Sequence, residues 1–196
     1  MLISGKGRNE GLTIDRVIAL REAGKDPSTD PLDVLFELLI EESGTVSTMF
    51  AHHTESDMNL ALTQPWCSIG SDGWTCSIEG PLRRGFPHPR NFGTFPRVLG
   101  EYVRQRRVLP LEDAVRKMTS LNATKLGIFD RGLLRAGNFA DVTVFDSSKV
   151  IDRATYSDPF RYSDGIEYVV VNGRIVLERS RHTGERPGRV LRHPVN

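Results

Sequence analysis

The chain has 196 residues, of which 38% are hydrophobic and 26% charged, and its formal net charge is +1. That balance belongs to a globular protein rather than a disordered one, and a charge so near zero offers no global field to draw in nucleic acid or an anionic membrane. No stretch is apolar for long enough to span a bilayer, which needs about 18 residues. The stretch from Met1 to Gly11 lacks the apolar core of a secretion signal. Cys67 and Cys76 are too few for a disulfide framework, so a cytoplasmic location with reduced thiols is expected.

The spacing of Ile14, Val17, Ile18 and Ala19 predicts a helix over 13–23, capped by Thr13 and stopped by Gly24. Asp30-Pro31 opens a second helix reaching Glu42, because a proline in the first turn lacks only an N–H that has no helical partner anyway. Val46, Thr48 and Phe50 alternate as in a strand over 45–50. Thr54 to Asp57 begins a short helix to Thr63, and Trp66 to Gly70 reads as an apolar strand ended by Ser71-Asp72-Gly73. Strand, helix, strand over 45–73 fits a right-handed crossover between parallel strands.

Trp74 to Gly93 is a Gly- and Pro-rich loop, of a length that is usually functional or disordered. A helix is predicted over 94–107 after Pro96, and Leu109-Pro110-Leu111-Glu112 begins another through Met118, with an interruption at Thr119-Ser120 and one further turn to Gly127. Composition then shifts. Asp141 to Phe145 reads as a strand, and Asn172-Gly173 between two β-rich runs is a strong hairpin signal. The fold class is therefore α/β, with an α/β part over 1–127 and a small β part with a basic tail over 128–196.

Asp72 stands out, because function collects at strand ends in α/β sheets and barrels. A carboxylate there can hold a divalent metal or carry a proton to and from water. Asp-Gly alone equally describes a capped turn. The surroundings add to it. Ile69-Gly70-Ser71-Asp72-Gly73, His88-Pro89-Arg90-Asn91-Phe92-Gly93-Thr94-Phe95-Pro96-Arg97, Gly132 to Asp146, and Gly165 to Gly173 together resemble the D-aminoacylase (N-acyl-D-amino-acid deacylase) branch of the amidohydrolase superfamily. The likeness runs from about Gly11 to Arg192. The glycine-rich stretch from Gly132 would indicate only an amidohydrolase. The His-Pro-Arg to Gly-Thr-Phe-Pro-Arg run narrows it to the deacylase branch.

That resemblance implies the carboxy-terminal portion of a TIM-like barrel, its last two strands and helices, followed by part of a small β domain. It implies a zinc-dependent hydrolase of the amide bond in N-acyl-D-amino acids. Asp72 matches the catalytic aspartate after the last barrel strand and is also a candidate metal ligand. Arg90 matches the arginine that would bind the substrate α-carboxylate, to which a planar guanidinium can give two parallel N–H bonds.

The departures set limits. The superfamily's His-x-His pair is absent: the histidines stand at 52, 53, 88, 182 and 193. His52 and His53, as neighbours on a strand, would face opposite ways. Cys67 reads as a small core residue. The zinc of the complete enzyme is therefore not expected to be retained by this chain alone. The chain is expected to need either a missing amino-terminal barrel half or self-association, with no nucleic-acid or membrane partner. A non-catalytic remnant or interaction module of the same fold is the alternative. Nucleic-acid binding through Arg179, Arg181, Arg186, Arg189 and Arg192 is the weakest reading, since no aromatics interleave with them.

Overall fold

A computed structural model describes residues 2–3, 8–22, 30–50 and 52–192. Short strand β1 (Leu2–Ile3) precedes helices α1 (Ile14–Glu22) and α2 (Pro31–Glu41). Asp30 caps α2, its side chain accepting from the Leu32 N–H at 2.9 Å, with Pro31 in the first turn as predicted. Ser43 and Gly44 turn left-handed and end the helix. The residues expected to close the first helix, Ala23 and Gly24, lie outside the described residues. Ile3, Val17, Val34 and Leu38 form a small core here, flanked by Leu12, Ile14, Ile18 and Val46.

The predicted parallel strand pair takes a different form. From 45–50 only β2 (Thr48–Met49) is a strand, and it pairs antiparallel with β1. Helix α3 (Glu55–Thr63) follows behind a reciprocal Thr54–Asp57 capping box. Trp66 to Gly70 is extended but joins no ladder. Helices α5 (Leu111–Met118) and α6 (Ser120–Lys125) reach its backbone from the side. Arg116 donates to the Pro65 carbonyl at 2.7 Å, Lys125 to that of Trp66 at 2.7 Å, and Asn122 to that of Ile69 at 2.8 Å. The Ile69 N–H donates to the Lys117 carbonyl at 3.1 Å. Backbone groups that find partners in this way need no neighbouring strand.

Lys117 is the centre of that arrangement. It is fully buried, and its ammonium donates to the carbonyls of Leu62, at 2.7 Å, and Gln64. The last carbonyls of a helix lack partners and carry its negative dipole end. Lys117 thus closes the end of α3 with a charge of the right sign.

The loop after Gly73 contains a 3₁₀ turn at Gly80–Leu82, and helix α4 (Arg90–Arg97) starts earlier than predicted, running into a π-helical segment Val98–Gln105. The earlier start follows from Pro89 and His88, whose carbonyls accept the N–H groups of the first turn. Pro96 has no N–H for the Phe92 carbonyl four residues back, and the Ser163 hydroxyl supplies the missing bond at 3.1 Å. The larger core gathers Leu62, Ile69, Val98, Leu99, Tyr102, Leu109, Ala114 and Val150, with Phe145 and Ile166 packed against it. It draws on both sides of Gly127.

An antiparallel sheet of β3 (Val142–Phe145), β4 (Ile166–Val171), β5 (Arg174–Glu178) and β6 (Arg181–His182), in that order, completes the chain. Asn172 and Gly173 both have positive φ and close the β4–β5 hairpin as their sequence predicts. Among the described residues no helix is long and apolar enough to cross a membrane.

The accessible surface is 13374 Å² for 21.9 kDa. A folded monomer of that mass exposes about 9,300 Å². Phe36, Ile40, Phe50, Trp66 and Trp74 are among the large apolar side chains left in solvent.

Candidate functional site

The segment fixed by Lys117, Asn122 and Lys125 delivers the chain to Gly70, and the Ser71–Gly73 turn follows. Asp72 there has φ +46, a left-handed conformation that Asp tolerates better than most residues. Gly73 lies against helix α4: a Cβ on it would sit 2.6 Å from Asn91 Oδ1 and 3.3 Å from Asn91 Cα. The same Asn91 oxygen accepts the Trp74 N–H at 2.9 Å. Asn91 therefore staples the Asp72 turn to the first turn of α4.

This juxtaposition brings the two predicted site residues together. Arg90 Nη2 lies 2.9 Å from Asp72 Oδ2. The Asp72 side chain is 87% exposed and that of Arg90 37%, so the ion pair faces solvent and adds about 0–1 kcal/mol to stability. Its interest is positional: a proton-carrying carboxylate sits beside an anion-binding guanidinium. Arg90 Nε is buried without a hydrogen-bond partner among the described residues, as is Asn91 Nδ2.

His88 supports Arg90 from below. Its Nδ1 accepts the Arg90 backbone N–H at 3.0 Å, and its Nε2 lies 3.1 Å from the Tyr156 hydroxyl. Desolvation, and then the nearby Arg90 charge, push the His88 pKa down, while Asp72 opposes them. His52 and His53 are exposed and lie edge to face, ring centroids 4.2 Å apart, ahead of α3. His182 is exposed on β6, its Nδ1 accepting the Gly184 N–H, and His193 lies outside the described residues. Cys67 and Cys76 are free and half-buried, and burial pushes the Cys76 thiol up.

Among the described residues no three His, Cys, Asp or Glu side chains converge as a metal site. One exposed carboxylate with a guanidinium already on it is a poor donor set for zinc, which takes three or four N, O or S ligands. The residues described here do not fit the metal by themselves.

Sequence reasoning missed Lys117, Asn91 and Tyr156. Lys117 lies three residues after Ala114, which is fully buried on α5, and that helical spacing places a lysine on the inward face. Asn91 stands within the His-Pro-Arg stretch but needed the fold to show its partner. Nothing in the sequence near Tyr156 points across 68 positions to His88.

A model described as "Amidohydrolase family" matches residues 33–177. The chain belongs to the amidohydrolase family. Its relatives are deacylases of N-acyl-D-amino acids. It is 44% identical over 137 residues to the N-acyl-D-aspartate deacylase of Alcaligenes xylosoxydans xylosoxydans, covering 70% of this chain and 26% of that protein. It is 41% identical over 181 residues to the D-aminoacylase of the same organism, covering 92% of this chain and 34% of that one. Among solved structures, the N-acyl-D-glutamate deacylase of Bordetella bronchiseptica, complexed with zinc and a phosphonate inhibitor that mimics the tetrahedral intermediate, superposes with a TM-score of 0.80 at 34% identity. That match covers 97% of this chain and 37% of the other. The chain thus spans about a quarter to a third of the length of the curated relatives it matches.

Proposed function

We propose that this chain supplies part of the active site of an N-acyl-D-amino-acid deacylase, hydrolysing an amide C–N bond, and that it does so only in company with a further portion of a TIM-like barrel. The observation that carries the reading is the contact between Asp72 and Arg90, made across the ends of a long loop in a chain whose relatives are such deacylases. In this reading Arg90 binds the substrate α-carboxylate, which takes the place of Asp72 on the guanidinium. Asp72, so released, takes a proton from the attacking water and returns it to the leaving amine. Residues 1–127 form the barrel portion and 128–196 the small β portion, in a cytoplasmic enzyme.

Zinc ligands would come from outside the residues described, since those residues bring no three donors together. The large apolar side chains left in solvent, among them Phe36, Ile40, Phe50 and Trp66, support a partner chain or a second copy. The direct closure of Arg90 on Asp72 also favours the alternative, a non-catalytic module, for the chain in isolation.

The test is to co-express this chain with the remaining portion of the Alcaligenes D-aminoacylase as a separate polypeptide, in zinc-supplemented medium. Co-purification and hydrolysis of N-acetyl-D-amino acids are expected. A stable complex that loads zinc but turns nothing over would leave the non-catalytic module standing.

A further inference from the structure

Arg90 opens a helix of 8 residues, and the first N–H groups of a helix have no partner within it. Pro89, in the capping position, offers no side-chain bond. The His88 ring caps the helix instead, its Nδ1 accepting the Arg90 N–H at 3.0 Å. A backbone N–H can only donate, so Nδ1 must be unprotonated. A neutral imidazole then carries its proton on Nε2, which therefore donates to the Tyr156 hydroxyl at 3.1 Å. Both ring nitrogens are in use, and their roles are fixed by the backbone N–H at one end, to which the hydroxyl at the other adapts as acceptor.

Tyr156 is no chance neighbour. The segment around it follows α4 closely. Phe92 meets Phe160 and Tyr162 edge to face, with centroids 6.0 and 5.8 Å away. The Ser163 hydroxyl bonds the Phe92 carbonyl. Gly93 admits Asp152, whose Cβ would lie 2.8 Å from any Cβ at that glycine. Tyr156 and His88 themselves cross at 80° with centroids 5.0 Å apart. Meanwhile the Arg90 guanidinium has Asp72 on Nη2 and an unpartnered Nε, so its direction depends on where the backbone of Arg90 is held.

We propose that Tyr156 and His88 act as a positioning pair for the Arg90 carboxylate site, Tyr156 holding the His88 ring in place through Nε2 and His88 holding the helix start that aims the guanidinium at Asp72. This rests on the reading of Arg90 as a carboxylate ligand. Tyr156 comes from the β portion and Asp72 from the turn after the extended Trp66–Gly70 segment, so the pair ties the aim of Arg90 to the packing of the two portions.

The test uses the full chain, completed by the co-expressed remaining portion of the Alcaligenes D-aminoacylase, with ¹⁵N-labelled histidine and arginine in this chain and N-acetyl-D-glutamate as the probe. Long-range ¹H–¹⁵N spectra at neutral pH are expected to show His88 with the proton on Nε2. Tyr156→Phe, which keeps the ring packing, is expected to weaken probe affinity about fivefold, the effect of one ordinary hydrogen bond. His88→Ala is expected to weaken it further and to shift the Arg90 side-chain resonances. His88→Asn places an acceptor where Nδ1 was, as in an Asx turn, and is expected to restore most of the loss. His88→Gln, whose amide reaches instead toward Tyr156, is not. A general loss of stability would not separate Asn from Gln in this way. A proton found on Nδ1, or Arg90 resonances and probe affinity unchanged across these variants, overturns the proposal. If wild-type Arg90 gives no response to the probe, the carboxylate reading falls, while the His88 tautomer and the Arg90 resonances of the variants still decide the positioning pair.

Discussion

Replacing Lys117 by methionine keeps the length and apolar stem of the side chain but removes the ammonium that closes α3. Two carbonyls, the buried one of Leu62 and the partly buried one of Gln64, lose their donor. A hydrogen bond from a charged group contributes about 1.5–3 kcal/mol, giving roughly 3–6 kcal/mol for the pair before compensation. Relief from burying an ammonium offsets part of this, since Asp113 Oδ2, its nearest carboxylate, is 3.6 Å away. A net loss of about 3 kcal/mol is expected. For a chain of this length each kcal/mol moves Tm by about 2–4 °C, so Tm should fall by roughly 6–12 °C. Circular dichroism melts of wild type and Lys117→Met at one protein concentration measure it. Amide exchange adds a local reading, because the Ile69 N–H bonds to the Lys117 carbonyl and should lose protection as α3 frays. A fall in Tm under about 3 °C, roughly 1 kcal/mol, with Ile69 still protected, would refute the argument that Lys117 anchors the segment leading to Asp72.

Gly73→Ala places a Cβ against an Asn91 oxygen that is already engaged by the Trp74 N–H. The turn and α4 should separate, and the ¹⁵N signals of Arg90 should move toward those of Asp72→Ala; coincidence with wild type would count against the staple. His88 should titrate below 6.5, because desolvation and Arg90 oppose its charged form. The unfolded chain then binds the proton first, so the stability from this group is full above pH 6.5 and declines as pH falls from there toward the folded pKa. Asp72→Asn should lower the midpoint further, since Asp72 is the group that raises it; a wild-type NMR midpoint at or above 6.5 would contradict the first statement, and a midpoint unmoved or raised in Asp72→Asn the second. In the completed enzyme Arg90→Lys should mainly raise KM by loss of the two-pronged contact with the carboxylate, and an unaltered KM would remove Arg90 from substrate binding.

Local elements with their own chemistry were legible in the sequence. The Asp30-Pro31 helix start, the helix start at Thr54 to Asp57, the Thr119-Ser120 break and the Asn172-Gly173 hairpin each carry their cause within a few residues, and each appears where it was expected. What failed was pairing. Val46 to Phe50 and Trp66 to Gly70 have the composition of strands, but a strand exists only beside a partner. Thr48–Met49 found Leu2–Ile3, and the carbonyls of Trp66 and Ile69 found Lys125 and Asn122. The early start of α4 was hidden because the stretch to Gly93 reads as a Gly- and Pro-rich loop and Pro96 as a boundary, while the His88 ring caps the helix start and Ser163 replaces the bond that Pro96 lacks.

For the candidate site, the sequence showed that Asp72 and Arg90 matter through their resemblance to a family, and the fold brings them to 2.9 Å. The supporting residues stayed hidden for a physical reason. Asn91, Lys117 and Tyr156 act through contacts between segments distant in the chain, and neither periodicity nor turn chemistry records those.

The most direct test of the central claim is a chimera in which this chain replaces the matching third of the Alcaligenes D-aminoacylase, assayed with zinc on N-acetyl-D- and N-acetyl-L-amino acids. The account predicts zinc-dependent hydrolysis of the D series, abolished by Asp72→Ala in a protein that still folds and still melts cooperatively. A folded, zinc-loaded chimera without turnover, or one in which Asp72→Ala is as active as its parent, would contradict it.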